Sequence, residues 1–353
     1  AVGKYIVDFF LRANIKTEIF QEEKNRFNII AKIKGKSSNN AIAFTGHMDV
    51  VPVSEKEFQR WETNPFSGVI KGGFIFGRGS SDMKGGLASV MVAMTEIVKR
   101  KIIPSRDIYF IATVDEEDGM KGSKSLLNEH FLEKISFIIV CEPTGLRICT
   151  AGKGRTYANI RITGQTGHGS QGKSKNVIDF ARQLMNKISG TTFPEHENTA
   201  FGNTFWQILS INAGLEPCVI PDELTMKIDA RLVPNHKTDE IWKKMKKILI
   251  DLKVENPGFE AEIEIIDKRE GWILSEKSPI VPSLKQIYNN LQIPFETTYF
   301  AGTTDGSIFR RKGIDCLILG PGDLSCVHKE NEKISVKELT DSCKIYFEIM
   351  KRS

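Results

Sequence analysis

The sequence predicts an α/β fold, a central sheet flanked by helices, with a smaller α+β unit set into it. Three observations predict it. Residues 1–154 alternate strand-like apolar runs with helical spacing, the pattern near Lys153 changes to half-exposed alternation, and the tail from residue 268 returns to the first pattern. With 353 residues the chain exceeds what one hydrophobic core usually supports, so two domains are expected. The predicted division assigns 1–154 and 268–353 to the larger domain and 155–267 to the insertion.

Val2, Ile6, Val7, Phe10 and Leu11 recur at helical spacing from the first residue, which leaves open residues upstream of Ala1. Asn28–Ile33 and Ala41–Thr45 read as strands. A helix follows from Gly85 to Arg100 with Leu87, Val90, Met91, Met94 and Ile97 inward. Ile108–Val114 and Phe137–Val140 are short apolar runs of the kind a sheet covered on both faces requires. In the insertion, Thr156–Thr163 alternates like a half-exposed strand. A helix over Val177–Ile188, strands at Phe205–Ile211 and Leu224–Leu232, a helix over Asp239–Leu252 and a strand at Ala261–Ile266 complete a ferredoxin-like order. The tail supplies a helix near Ser283–Leu291, a Gly-Thr-Thr-Asp-Gly turn, a strand at Cys316–Leu319 and a last helix, and the whole larger sheet is expected to be mixed.

Hydrophobic residues at 40% and charged residues at 26% describe a folded globular chain. The net charge of +5 is spread along the sequence; Lys99–Lys101 and Lys243–Lys247 read as solvated helix faces without aromatic interleaving, so no nucleic-acid partner is expected. Six cysteines without CxxC spacing read as reduced, buried thiols. No apolar run approaches the ~18 residues of a membrane span, and no signal peptide is visible, so no membrane association and a cytoplasmic location are expected.

Five loops that follow apolar or Gly-rich runs carry the chemistry: Gly46–Asp49, Gly79–Lys84, Asp115–Glu117, Cys141–Thr144 and Gly322–His328. Strand ends are where open α/β sheets bind ligands. Singly, each has an ordinary alternative. Taken alone, His47 reads as a satisfied core histidine and Glu116 and Glu117 as a solvated acidic loop, while Asp82 reads as readily as a helix N-cap and Glu142 as a sheet-edge group. Together they offer two imidazoles and several carboxylates, an inventory suited to two neighbouring zinc ions, too rich in imidazole for magnesium and too poor in thiolate for a structural zinc. Of the adjacent Glu116 and Glu117, one can ligate while the other reaches a water. Neither Gly77-Arg78-Gly79 nor Gly152-Lys153-Gly154-Arg155 has the spacing of a phosphate loop.

Gly46–Pro52, Gly77–Gly86, Thr113–Glu117, Glu142–Thr144, Asp229–Arg231 and Gly320–Gly322 with His328, in that order, resemble the M20 metallopeptidases, the group of acetylornithine deacetylase, succinyl-diaminopimelate desuccinylase, aminoacylase and glutamate carboxypeptidase. The resemblance implies a zinc-hydrolase catalytic domain and an inserted dimerisation domain. His47 and Glu142 would bind one zinc, Glu117 and His328 the other, Asp82 would bridge them, and Asp49 would orient His47; cobalt or manganese are possible substitutes. Glu116 would be the general base for a zinc-bound hydroxide. His168 would steady the oxyanion in the partner subunit's site, which implies a homodimer; Arg231 would grip a substrate carboxylate and Thr303 would contact the substrate. The implied reaction is amide cleavage of a small N-acyl amino acid or a short peptide, the alternatives being a dipeptidase or carboxypeptidase of the same family, or a metal-binding protein without activity. Cys218 stands where the family often has an Asn that helps hold the substrate. His130, His196 and His236 match no family position and are expected at the surface.

Overall fold

The computed structural model describes residues 1–171, 175–197, 199–214, 216–258 and 260–353. The chain divides into one unit of residues 1–151, 274–300 and 304–353, and a second of 152–273 with 301–303.

In the first unit, strands run across the sheet in the order Thr17–Glu23, Arg26–Ile33, Arg106–Thr113, Ser37–His47, Ile135–Val140, Asp315–Ile318 and Ile148–Gly152, with Thr297–Phe300 paired to the last. The four central strands from Arg106–Thr113 to Asp315–Ile318 are parallel and the outer pairings antiparallel, a mixed sheet. Their sequences explain the arrangement. The Arg106–Thr113 strand is buried at every position after the first, as a sheet covered on both faces demands. The Gly85–Lys99 helix packs on the Val336–Arg352 helix and touches the Ser37–His47 strand, while Val2–Arg12 covers the Arg26–Ile33 strand. The Thr17–Glu23 strand, which the periodicity does not predict, is a polar edge with no buried residue. Among the described residues no helix is long and apolar enough to cross a membrane.

The second unit is a four-stranded antiparallel sheet in the order Phe205–Ala213, Glu223–Leu232, Gly154–Thr163, Glu260–Arg269. With its helices Val177–Ser189 and Thr238–Glu255 the chain order is β-α-β-β-α-β, the ferredoxin-like pattern. Strict alternation of buried and partly exposed residues along Gly154–Thr163 sends Ala158, Ile160 and Ile162 into one core with Leu184, Ile228, Trp242 and Met245. Two expectations need correction here. His236 is buried rather than at the surface, because Thr204 Oγ1 meets its Nδ1 at 2.6 Å and satisfies the ring. Cys218 is an exposed thiol and Cys326 and Cys343 are only half-buried, so burial holds for Cys141, Cys149 and Cys316 alone.

Candidate metal centre

Parallel pairing sets the site. His47, the last residue of its strand, lies in register with Thr113, and Thr45 with Val140. The neighbouring chains therefore leave the sheet at one edge, and the residues just past them, Glu116, Glu117 and Glu142, emerge beside His47. Asp115 and His328 turn these loops through the left-handed region, at φ 56° and 59°, where few non-glycine residues settle. Asp82 is not a helix cap. The Gly85–Lys99 helix begins after Lys84, and Asp82 has a non-helical φ of −114° and ψ of 96°.

The geometry around Asp82 is specific. Its Oδ1 lies 3.0 Å from His47 Nε2 and its Oδ2 3.0 Å from His328 Nε2. Glu142 Oε1 stands 3.8 Å from His47 Nε2, and Glu117 Oε1 2.8 Å from His328 Nε2. Two donor groups result, His47–Asp82–Glu142 and Asp82–Glu117–His328, each with its ligand atoms within 4.8 Å of one another. They share one carboxylate, one oxygen to each side. The first group is buried and the second opens outward, with His328 exposed.

Asp49 meets His47 Nδ1 through its main-chain carbonyl at 3.0 Å, while its carboxylate stands 3.7 Å away. That carboxylate instead accepts the N–H groups of Glu116 at 3.3 Å and Glu117 at 3.1 Å, fixing the acidic turn. Beneath the site Asp305 is buried and accepts a 2.6 Å bond from Thr113 Oγ1. Burial raises its carboxyl above the usual range, against the hydrogen bonds from Ser123 and Thr113. The sequence does not single out Asp305, nor the Arg78–Glu332 pair at the base of the Asp82 turn; a Gly-Thr-Thr-Asp-Gly run reads only as a turn.

The remaining candidates belong to the second unit. Asp229, buried, accepts a 2.6 Å bond from Arg155 Nε and a 2.7 Å bond from Arg231 Nε. His168 is exposed on a two-residue strand against Val219–Ile220, with Nδ1 2.7 Å from Ser170 Oγ. The main-chain carbonyl of Cys218 accepts the Gly169 N–H at 2.8 Å, so this residue braces the His168 loop through its backbone. Thr303 Oγ1 accepts a 3.4 Å bond from Arg269 Nη1.

Electrostatics of the metal-free chain predict proton release on metal binding. Burial opposes charge on His47, but the Asp82 hydrogen bond and the Glu142 and Glu116 charges hold its pKa well above the ordinary imidazole value. His328 is raised to about 10, first by the Asp82 hydrogen bond and then by Glu117. Glu142 is raised by burial and by the Asp82 charge. Cations bind neutral imidazole and ionised carboxylate, so loading should expel protons held on these groups, and affinity should rise with pH. The dependence of zinc-binding heat on buffer ionisation enthalpy measures this; binding without proton release contradicts it.

The donors form two sets around one shared carboxylate, and the whole chain is similar to known proteins. A family model described as Peptidase family M20/M25/M40 matches residues 43–352. Succinyl-diaminopimelate desuccinylase of Blochmanniella floridana is 29% identical, over 99% of this chain and 92% of its own. Among solved structures, aminopeptidase PepT from Bacillus cereus superposes with a TM-score of 0.81 at 22% identity, over 99% of this chain and 91% of that one. The Bacillus subtilis YXEP protein, described as a dinuclear metal binding peptidase from the M20 family, gives a TM-score of 0.73 at 17% identity, over 99% and 90%. The matched span takes in every loop that supplies His47, Asp82, Glu117, Glu142 and His328, and the chain belongs to peptidase family M20/M25/M40.

Proposed function

We propose that this metal-dependent hydrolase cleaves the amide bond of a small N-acyl amino acid, of the deacetylase or desuccinylase type, with two zinc ions and with Glu116 as general base. The observation that carries the reading is the division of Asp82 between two imidazoles, each oxygen 3.0 Å from its own ring. Two imidazoles with three carboxylates suit zinc, and cobalt or manganese would fit the same donors. His47 and Glu142 would hold one ion, Glu117 and His328 the other, and Asp82 both. Such a pair, when bound, polarises a carbonyl and acidifies a water.

The chain's own groups do the rest. Glu116, on the turn pinned by Asp49, takes a proton from the attacking water and passes it to the leaving amine as the C–N bond breaks, giving a carboxylic acid and an amine. His168 stabilises the oxyanion in the partner subunit's site. A homodimer through the second unit therefore belongs to this reading. Its support is the edge strand Phe205–Ala213, which exposes Phe205, Leu209 and Ile211 and leaves pairing groups open to a second copy; sedimentation should find twice the chain mass. A cytoplasmic location is part of the same proposal, and six free thiols support it.

Arg231 binds the substrate carboxylate. Asp229 fixes the plane of its guanidinium, and a planar fork suits a carboxylate. Thr303 adds a hydroxyl. Cys218 offers no amide where the family often has one, so that position does not fix the substrate, and a dipeptidase or carboxypeptidase is the second reading. A panel of N-acetyl and N-succinyl amino acids against dipeptides separates the two, with the N-acyl compounds expected to show the higher kcat/KM. In the same panel Arg231→Ala should raise KM by ~10–100-fold for substrates with a free carboxylate, the value of a charged hydrogen bond, and leave amidated ones unchanged. A preference for dipeptides would overturn the N-acyl assignment, and no turnover of any member would mark a binding protein.

A further inference from the structure

Glu332 lies outside the ligand set and is fully buried, at 0% exposure. Its Oε1 accepts three main-chain N–H groups, from Gly79 at 3.0 Å, Ser81 at 3.1 Å and Asp82 at 3.1 Å. Its Oε2 accepts Arg78 Nη1 at 2.8 Å. Arg78 is buried too; it donates to the carbonyl of Lys329 at 3.2 Å, pairs with Glu57, and lies over the Trp61 ring. The link is therefore reciprocal. A side chain from the His328 loop grips the backbone of the Asp82 turn, and a side chain from that turn grips the backbone next to His328. Ser81 Oγ to the Lys333 carbonyl, at 2.8 Å, closes the same seam.

Three converging N–H groups make a concave positive site that a buried anion satisfies. One of the three is the amide of Asp82 itself, whose backbone, like that of Met83 after it, leaves the helical region. Fixing that amide fixes the direction in which the carboxylate leaves the chain. We propose that Glu332, held by Arg78, is a positioning residue that aims the Asp82 carboxylate between His47 and His328 and sets the spacing of the two donor groups. It rests on the reading of Asp82 as the bridge. Glu332 is not a ligand, because both its oxygens are already engaged by the turn and Arg78 and it lies in neither donor group.

The test compares Glu332→Asp, Glu332→Ala and Glu332→Gln with wild type. The measurements are the metal-free unfolding midpoint, zinc affinity by competition with a chromophoric chelator, and the visible spectrum of the cobalt-loaded protein. The aspartate is one methylene too short to reach both the turn and Arg78. It and the alanine variant are expected to lose ~10–100-fold in zinc affinity, the range for groups that orient ligands, with an altered cobalt spectrum. Glutamine keeps an acceptor oxygen at the same reach and should recover most of the loss. If alanine does not fold, the aspartate–glutamine contrast decides. A folded Glu332→Asp that binds zinc like wild type, even with a lower unfolding midpoint, makes the pair a fold brace and overturns the proposal. Wild type that binds fewer than two ions overturns the bridge itself, a distinct failure visible before any variant is made.

Discussion

Glu116→Ala is expected to retain two bound zinc ions and to lose ~10²–10⁴-fold in kcat, the range removed with a general base. Three observations place the effect on proton transfer. Glu116 lies outside both donor groups, which use Glu117 and Glu142 for their carboxylates. Its charge is nevertheless among those that raise the pKa of His47 and Glu142, so it stands close to the centre. Its N–H is tied to Asp49, as is that of Glu117, so the turn is held by the backbone and should survive loss of the side chain. KM should change little, since the interaction is made in the transition state. Glu116→Gln, isosteric but unable to accept a proton, should be as impaired as alanine. Zinc content and steady-state kinetics check the pair, and wild-type turnover in either variant would remove Glu116 from the role.

Legibility of this chain in its sequence follows the range over which each signal acts. His47, Glu117 and Glu142 could be found because they stand at the ends of apolar runs, and a parallel sheet must bring such ends to one edge. The alternation of Thr156–Thr163 and the spacing of Leu87, Val90, Met91, Met94 and Ile97 are likewise local, and the strand and helix appear where these residues place them. Glu332 had no local signal. It sits in Lys329-Glu330-Asn331-Glu332-Lys333, which reads as a solvated charge run, and its burial comes from a turn about 250 positions earlier in the chain. Asp49 shows a subtler limit. Two residues from His47, it reads as the ring's carboxylate partner, yet the carbonyl takes that place and the carboxylate serves the Glu116–Glu117 turn, a division that the loop after the Arg106–Thr113 strand creates. His236, in Pro234-Asn235-His236, has turn chemistry on paper and a buried hydroxyl partner in the fold.

Asp82→Asn should have the largest effect of any single change, because one atom swap acts on both donor groups. An amide offers one acceptor oxygen where the carboxylate has two, so one side loses its shared ligand. Bound zinc should fall from two ions to one or fewer. Losing one Lewis acid removes several kcal/mol of charge stabilisation, about 10³-fold in rate. The metal-free protein adds a signature of opposite pH sense. Burial works against the Asp82 charge, but the His328 and His47 hydrogen bonds win and push its pKa far below the carboxylate range, so its stabilisation exists above ~4 and fades as pH falls. His328 is raised to about 10, so its share is complete below its unfolded value and is lost as pH rises through about 10. The unfolding midpoints of metal-free wild type and Asp82→Asn should therefore differ most between about pH 4 and 6.5, where both contributions are whole, and converge by about pH 10. Zinc reverses the trend for wild type alone, since it needs neutral imidazoles and binds better as pH rises. An Asp82→Asn protein that binds two ions tightly, or whose metal-free stability follows wild type across that range, would show that Asp82 does not join the two halves of the site.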